Sequence, residues 1–171
     1  GRPSAHRAER RERSSPGAFD VVAQNMVKRQ GVENVLIVLM PIDRSMIHLD
    51  MIFTMIDHDH CVVFPPSFVG PTRHSVLLYR AQQGDVREMP NLFAALREVG
   101  LPLTPVFCGG NHRTMQEREQ WSSGCNFVAV RPGLILGYTR NEGTYRELER
   151  EAGYRIVDGL AFLTGEAEIE D

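Results

Sequence analysis

An α/β fold assembled from a repeated unit is what these 171 residues predict. Two observations carry that expectation. A helical stretch closed by glycine and followed at once by a strand occurs three times, and paired strand-forming runs with polar turns lie between those blocks. Recurrence of one supersecondary unit implies a ring or solenoid in which each unit buries its face on the next.

Residues 17–30, "GAFDVVAQNMVKRQ", place Phe19, Val22, Ala23, Met26 and Val27 at i, i+3, i+4 spacing. That spacing predicts an amphipathic helix, and Gly31 supplies its C-terminal stop. The apolar run "NVLIVLMP" at 34–41 predicts a buried strand. "MIFTMID" (51–57) and "CVVF" (61–64) flank the polar turn "HDH", and a further strand is expected near "SVLLYR" (75–80). The second helix, glycine and strand block is "PNLFAALREVG" (90–100) with "LTPVFCG" (103–109). A charged helical insert, "HRTMQEREQWSSG" (112–124), carries the only tryptophan, Trp121, whose large ring surface makes it an expected packing anchor. "NFVAV" (126–130) and "LILGYT" (134–139) form a second hairpin around "RPG", before "GTYRELEREAG" (143–153) and the expected strand "YRIVDG" (154–159). From residue 48 the order is strand, strand, a further strand, helix, strand, and from 125 it is strand, strand, helix, strand, so the two read as copies of one module. The opening helix and strand would be the tail of a third copy, and so few copies should be marginal alone.

The length and a composition of 42% hydrophobic and 24% charged residues fit one soluble domain. Its longest apolar run, "VLIVLM" at 35–40, falls far short of the roughly 20 residues of a membrane span, so a cytoplasmic location with no membrane partner is expected. Cys61, Cys108 and Cys125 are widely spaced with no CxxC, which fits reduced thiols. A net charge of -3 gives no nucleic-acid footprint. The start, "GRPSAHRAERRER", packs five arginines into thirteen residues with almost no apolar side chains. Residues 1–16 therefore read as an exposed basic arm, ahead of a body spanning 17–171. With no opening Met and the acidic end "GEAEIED", the chain reads as a piece of something longer.

The chemistry-bearing residues concentrate in "RSMIHLDMIFTMIDHDHCVVF" (44–64), which holds His48, Asp50, Asp57, His58, Asp59, His60 and Cys61. Read as strand, His48 and Asp50 share a face about 6–7 Å apart, close enough to hold one ligand together. Ten extended residues would set His48 roughly 33 Å from His58, beyond the reach of one metal ion. A local metal site from residues 57–61 stays geometrically open, although alternating Asp and His also suits a solvated hairpin tip. At the head of an apolar stretch, an ionised Asp50 would be costly unless paired. A carboxylate beside a histidine favours the imidazolium form, which suits a proton donor near neutral pH. The residues alone leave a functional pair and a structural, loop-capping aspartate equally open.

"MIHLDMIFTMID" (46–57) resembles, almost position by position, the Met-His-Leu-Asp-Thr-Val-Phe-Thr-Met-Val-Asp stretch of arginine deiminase, in the guanidino-group-modifying superfamily. "CGGNH", "REQWSSGCN" and "RPGLILGYTRN" resemble that family's Cys-Gly-Gly, Arg-Glu-Gln-Trp and Pro-Gly…Tyr-x-Arg-Asn stretches, in the same order. The resemblance implies an incomplete α/β propeller (pentein) of ββαβ modules, and hydrolysis of L-arginine to L-citrulline and ammonia without metal or other cofactor. On it, Asp50 matches a carboxylate that binds the planar guanidinium. His48 matches the histidine that protonates departing ammonia and then activates water against a covalent thiouronium. "RERSS" resembles Glu-Arg-Thr-Ser, so Arg13 matches an arginine that binds the substrate carboxylate.

Departures from the family pattern shape the remaining expectations. The family's nucleophilic cysteine stands in a Gly-Pro-Arg-Cys context that these residues do not contain. Cys61, Cys108 and Cys125 read instead as small buried residues, Cys108 with His112 nearby being the one substitute on offer. A chain without the thiolate is expected to be inactive alone. Two rival readings remain, a noncatalytic fragment or interaction module and an amidinotransferase relative. An incomplete ring should also expose faces that self-associate, or that bind a chain supplying the missing modules.

Overall fold

The structure, a computed structural model, describes residues 16–169. Arg13 and the rest of the predicted basic arm up to residue 15 lie outside them. Helix α1 (Pro16–Gln30) forms as the spacing predicts and stops at Gly31, whose φ of +65° suits a residue without Cβ. Of its apolar side chains Ala23 is buried and Val27 half-buried, while Val22 and Met26 face solvent. Strand β1 (Asn34–Val38) follows, half-buried throughout rather than buried, because it is an edge strand.

The chain then makes two 3-10 turns, Arg44–Met46 and Leu49–Met51, before β2 (Phe53–Met55) and β3 (His60–Val63). These pair antiparallel around a tip in which the Asp57 carboxylate accepts the His58 N–H at 2.6 Å. A short helix, α2 (Pro65–Phe68), leads into β4 (Val76–Arg80) and β5 (Asp85–Met89). Strand β5 was not expected from the sequence. Its register on β4 pairs Arg80 with Asp85 and Val76 with Met89 across a turn at Gly84, and four of its five residues are exposed. With little to bury, it carries almost no hydrophobic signal.

Helix α3 (Leu92–Glu98) starts where the Asn91 side chain accepts the Ala94 N–H at 2.8 Å. It delivers the chain to β6 (Thr104–Phe107), which joins β3 in parallel, pairing Val62 with Val106. Strands β2, β3 and β6 form one three-stranded sheet, with α2, β4, β5 and α3 between β3 and β6 in the chain. The core condenses around it, with Ile52, Ile56, Val62, Val63, Phe68, Leu78, Ala95 and Val106 excluded from water. Helix α4 (Arg113–Trp121) is the predicted insert, followed by the hairpin β7 (Val128–Arg131) and β8 (Leu134–Leu136). Helices α5 (Glu142–Ala152) and α6 (Gly159–Leu163) complete the described chain.

The second unit departs from the first at its end. Residues 154–158, "YRIVD", form no strand. The Tyr154 N–H closes α5 on the Leu148 carbonyl at 3.1 Å, and its hydroxyl donates to the Ile56 carbonyl at 3.0 Å. Those bonds draw the chain across to the first hairpin, and among the described residues β8 pairs only with β7. Trp121 also departs from expectation. It is 66% exposed, because α4 turns the polar side chains Gln116, Glu119 and Gln120 inward instead. Among the described residues the strands form three small sheets, ordered β1-β4-β5, β2-β3-β6 and β7-β8, with no closed barrel. No described helix is long and apolar enough to cross a membrane.

Candidate functional site

His48 and Asp50 are not on a strand. Extended backbone at His48, φ -131° and ψ 146°, precedes the second 3-10 turn, and Asp50 lies within it. The Met51 and Ile52 N–H groups donate to the His48 and Leu49 carbonyls at 3.2 and 3.0 Å, which bends the chain before pairing with β3 begins at Phe53. Strand alternation therefore does not set the relation of the two side chains. Both residues are exposed, so the cost foreseen for burying a carboxylate at Asp50 does not arise.

The loop is fastened at several points. Asp43 caps its first turn, accepting the Ser45 N–H at 2.8 Å and the Ser45 hydroxyl at 2.7 Å. These two bonds, the hydroxyl first, hold the Asp43 carboxyl below its usual range. Ile52, wholly buried, anchors the far end, where its carbonyl accepts the Phe64 N–H at 2.8 Å. Helix α4 supplies the cross-link. The Gln120 amide donates to the Ser45 carbonyl at 2.6 Å and approaches the Met51 carbonyl at 3.5 Å.

One residue earlier, Glu119 faces the other way. Its buried carboxylate accepts the Gly143 N–H, the Thr144 N–H and the Thr144 hydroxyl at 2.8, 2.8 and 2.7 Å. It caps α5 from outside, satisfying donors that the N-cap residue Asn141 does not reach and meeting the positive end of the helix dipole. Asn141 is turned instead to Ser122, accepting its hydroxyl at 2.6 Å and donating to its carbonyl at 3.2 Å. Gln116 donates to the Gly110 carbonyl at 2.6 Å, and Thr144 accepts the Gly109 N–H at 3.0 Å. Gly109 needs to be glycine, since a Cβ there would lie 2.5 Å from the backbone of Met115 and Gln116 at a φ of +70°. The motifs around residues 108–112, 118–126 and 131–141 thus lock onto one another as a frame beneath the histidine–aspartate loop.

Cys108 and Cys125 belong to that frame, and Cys61 lies on β3. Cys61, Cys108 and Cys125 are all 0% exposed, as expected of small buried residues. Burial pushes the Cys61 thiol up to about 12. Burial, and then a hydrogen bond with Cys108, hold Cys125 well above its ordinary range. His112 is exposed at the start of α4, while Cys108 is sealed inside. At the acidic and histidine-rich tip, His60 is bonded to Asp59 at 2.7 Å. Among the described residues no group of three or more His, Cys, Asp or Glu side chains is arranged to hold a metal ion.

Sequence reasoning did not single out Glu119 or Gln120. Both stand in a run that reads as a solvated helix face, and only their burial reveals them. Their place in "REQWSSGCN", one of the stretches that resemble the family, was the available signal, although it gave neither residue a role.

Small sheets carrying an exposed turn with His48 and Asp50, its Ser45 end held by a buried glutamine, define a mixed α/β protein. A family model for arginine deiminase matches residues 11–160, and this chain belongs to that family. It is 34% identical to arginine deiminase of Bacillus cereus (strain B4264) over 158 residues, covering 87% of this chain and 38% of that protein. To arginine deiminase of Lactococcus lactis subsp. cremoris (strain MG1363) it is 38% identical over 139 residues, covering 78% of this chain and 33% of that protein. The chain therefore spans less than half the length of the relatives it matches.

Proposed function

We propose that this chain is the histidine- and aspartate-bearing part of an arginine deiminase, the complete protein hydrolysing L-arginine to L-citrulline and ammonia. The observation that carries the reading is the exposed His48–Leu49–Asp50 turn, tethered at Ser45 and inside the stretch over which the family matches. In this reading Asp50 accepts hydrogen bonds from the guanidinium, and Arg13 pairs with the substrate carboxylate. A cysteine thiolate adds to the guanidinium carbon. As the C–N bond breaks, His48 gives a proton to the departing ammonia; it then takes one from the water that displaces the thiolate and leaves citrulline.

That thiolate is not Cys61, Cys108 or Cys125, each of which is closed off from a substrate at the surface. It comes from residues beyond these 171, so the polypeptide alone does not turn over arginine. The same reading takes residues 17–171 as one partial body, its ββα units being adjacent sectors of an α/β propeller, with residues 1–16 as an arm.

The test is citrulline formation by the purified polypeptide, with and without His48→Ala. No citrulline is expected from either protein. A robust rate abolished by the substitution would show that the thiolate is present after all. A second reading, a noncatalytic interaction module, is favoured by the apolar residues that β7, β8 and α6 leave in water, and predicts no interaction of L-arginine with the 48–50 turn.

A further inference from the structure

A side chain from a different element reaches both ends of the histidine–aspartate loop. Gln120 is 3% exposed, and its amide nitrogen lies 2.6 Å from the Ser45 carbonyl and 3.5 Å from the Met51 carbonyl. Those carbonyls bracket half-buried Met46 and exposed Ile47, His48, Leu49 and Asp50, so a single donor group spans the whole exposed turn. Its neighbour Glu119 is fixed by three hydrogen bonds to the start of α5, and Gln116, one helical turn back, is fixed to Gly110. Gln120 therefore hangs from a part of α4 whose own position is set on two other sides.

We infer that Gln120 is a positioning residue: it sets the relative placement of His48 and Asp50 by holding the Ser45 and Met51 carbonyls at a fixed separation. Exposed side chains on an unfastened turn would sample many orientations, and two groups meant to meet one planar cation need one. An apolar residue at 120 would leave the Ser45 carbonyl without this donor and release the turn, while the contacts of Glu119 stay as they are. The inference rests on the reading of His48 and Asp50 as the site, although the tether itself can be measured without it.

The experiment compares the full chain with Gln120→Met, which keeps side-chain length and apolar packing but cannot donate, and with Gln120→Ala. Amide hydrogen exchange is followed at Met51 and Ile52, whose N–H groups close the turn, and at Gly143 and Thr144, held by Glu119. Expected for Gln120→Met is exchange at least about tenfold faster at Ile52, with Thr144 unchanged, and a shifted His48 ring resonance. Gln120→Ala should behave alike at Ile52. Unchanged exchange at Ile52 in both variants, or equal acceleration at Thr144 in both, would overturn the inference by showing no tether or a general loosening. L-Arginine titration of the unsubstituted chain, read at the His48 and Asp50 amides, separates the two readings. No shift there counts against the functional assignment, whereas the tether is judged on Ile52 and Thr144.

Discussion

Glu119 shows how much can rest on one side chain in this molecule. A carboxylate with three hydrogen bonds inside the protein is tolerable only because those donors would otherwise be orphans at a helix start. Glu119→Ala removes the acceptor and leaves the donors buried, which should cost about 3 kcal/mol in urea denaturation. His48→Ala, at an exposed position, should change stability by less than about 0.5 kcal/mol in the same measurement. The thiols add a pH dependence whose sign is fixed by burial. Cys61 is raised from 9.0 to about 12, so the folded state keeps a proton that the unfolded chain loses. Its contribution is complete below pH 9 and declines as pH rises from 9 towards 12, so melting temperature should fall across that window. Thiol titration should correspondingly find no reactive cysteine among the three at pH 8 until denaturant is added.

At the scale of elements, the glycines that end or join helices separate into two kinds. Gly153 sits in the left-handed region at φ +68° with open space where a Cβ would go, whereas Gly109 faces the α4 backbone at 2.5 Å. Gly153→Ala should therefore cost about 1 kcal/mol, and Gly109→Ala more than about 3 kcal/mol, since the start of α4 would have to move. Equal losses in chemical denaturation would contradict the distinction. The elements that sequence made legible were those with a strong pattern: α1 by its spacing, the β2 and β3 hairpin by its apolar runs, and α3 and α5 by their closing glycines. Strand β5 was hidden because it faces water on nearly every residue. The strand expected at 154–159 failed for a tertiary reason, the Tyr154 hydroxyl bond to Ile56, which no local pattern encodes. His48 and Asp50 were legible as residues, but their geometry was not, since the turn that carries them is held by a glutamine some seventy residues away.

For the molecule as a whole, apolar surface is the dominant unspent feature. Leu163 is 82% exposed, Leu160 70% and Val128 62%, and among the described residues β7 has no strand partner but β8. Surfaces of that kind are covered in stable proteins, so sedimentation should show concentration-dependent self-association. A single monomeric species across the accessible range would count against it. Trp121 makes such events visible without a label. As the sole indole of the chain it is the dominant emitter, and its ring stands in water directly after Gln120. Emission should therefore be red-shifted in the isolated polypeptide and move to the blue when another surface closes over that end of α4, so docking next to the histidine–aspartate turn can be followed as a colour change.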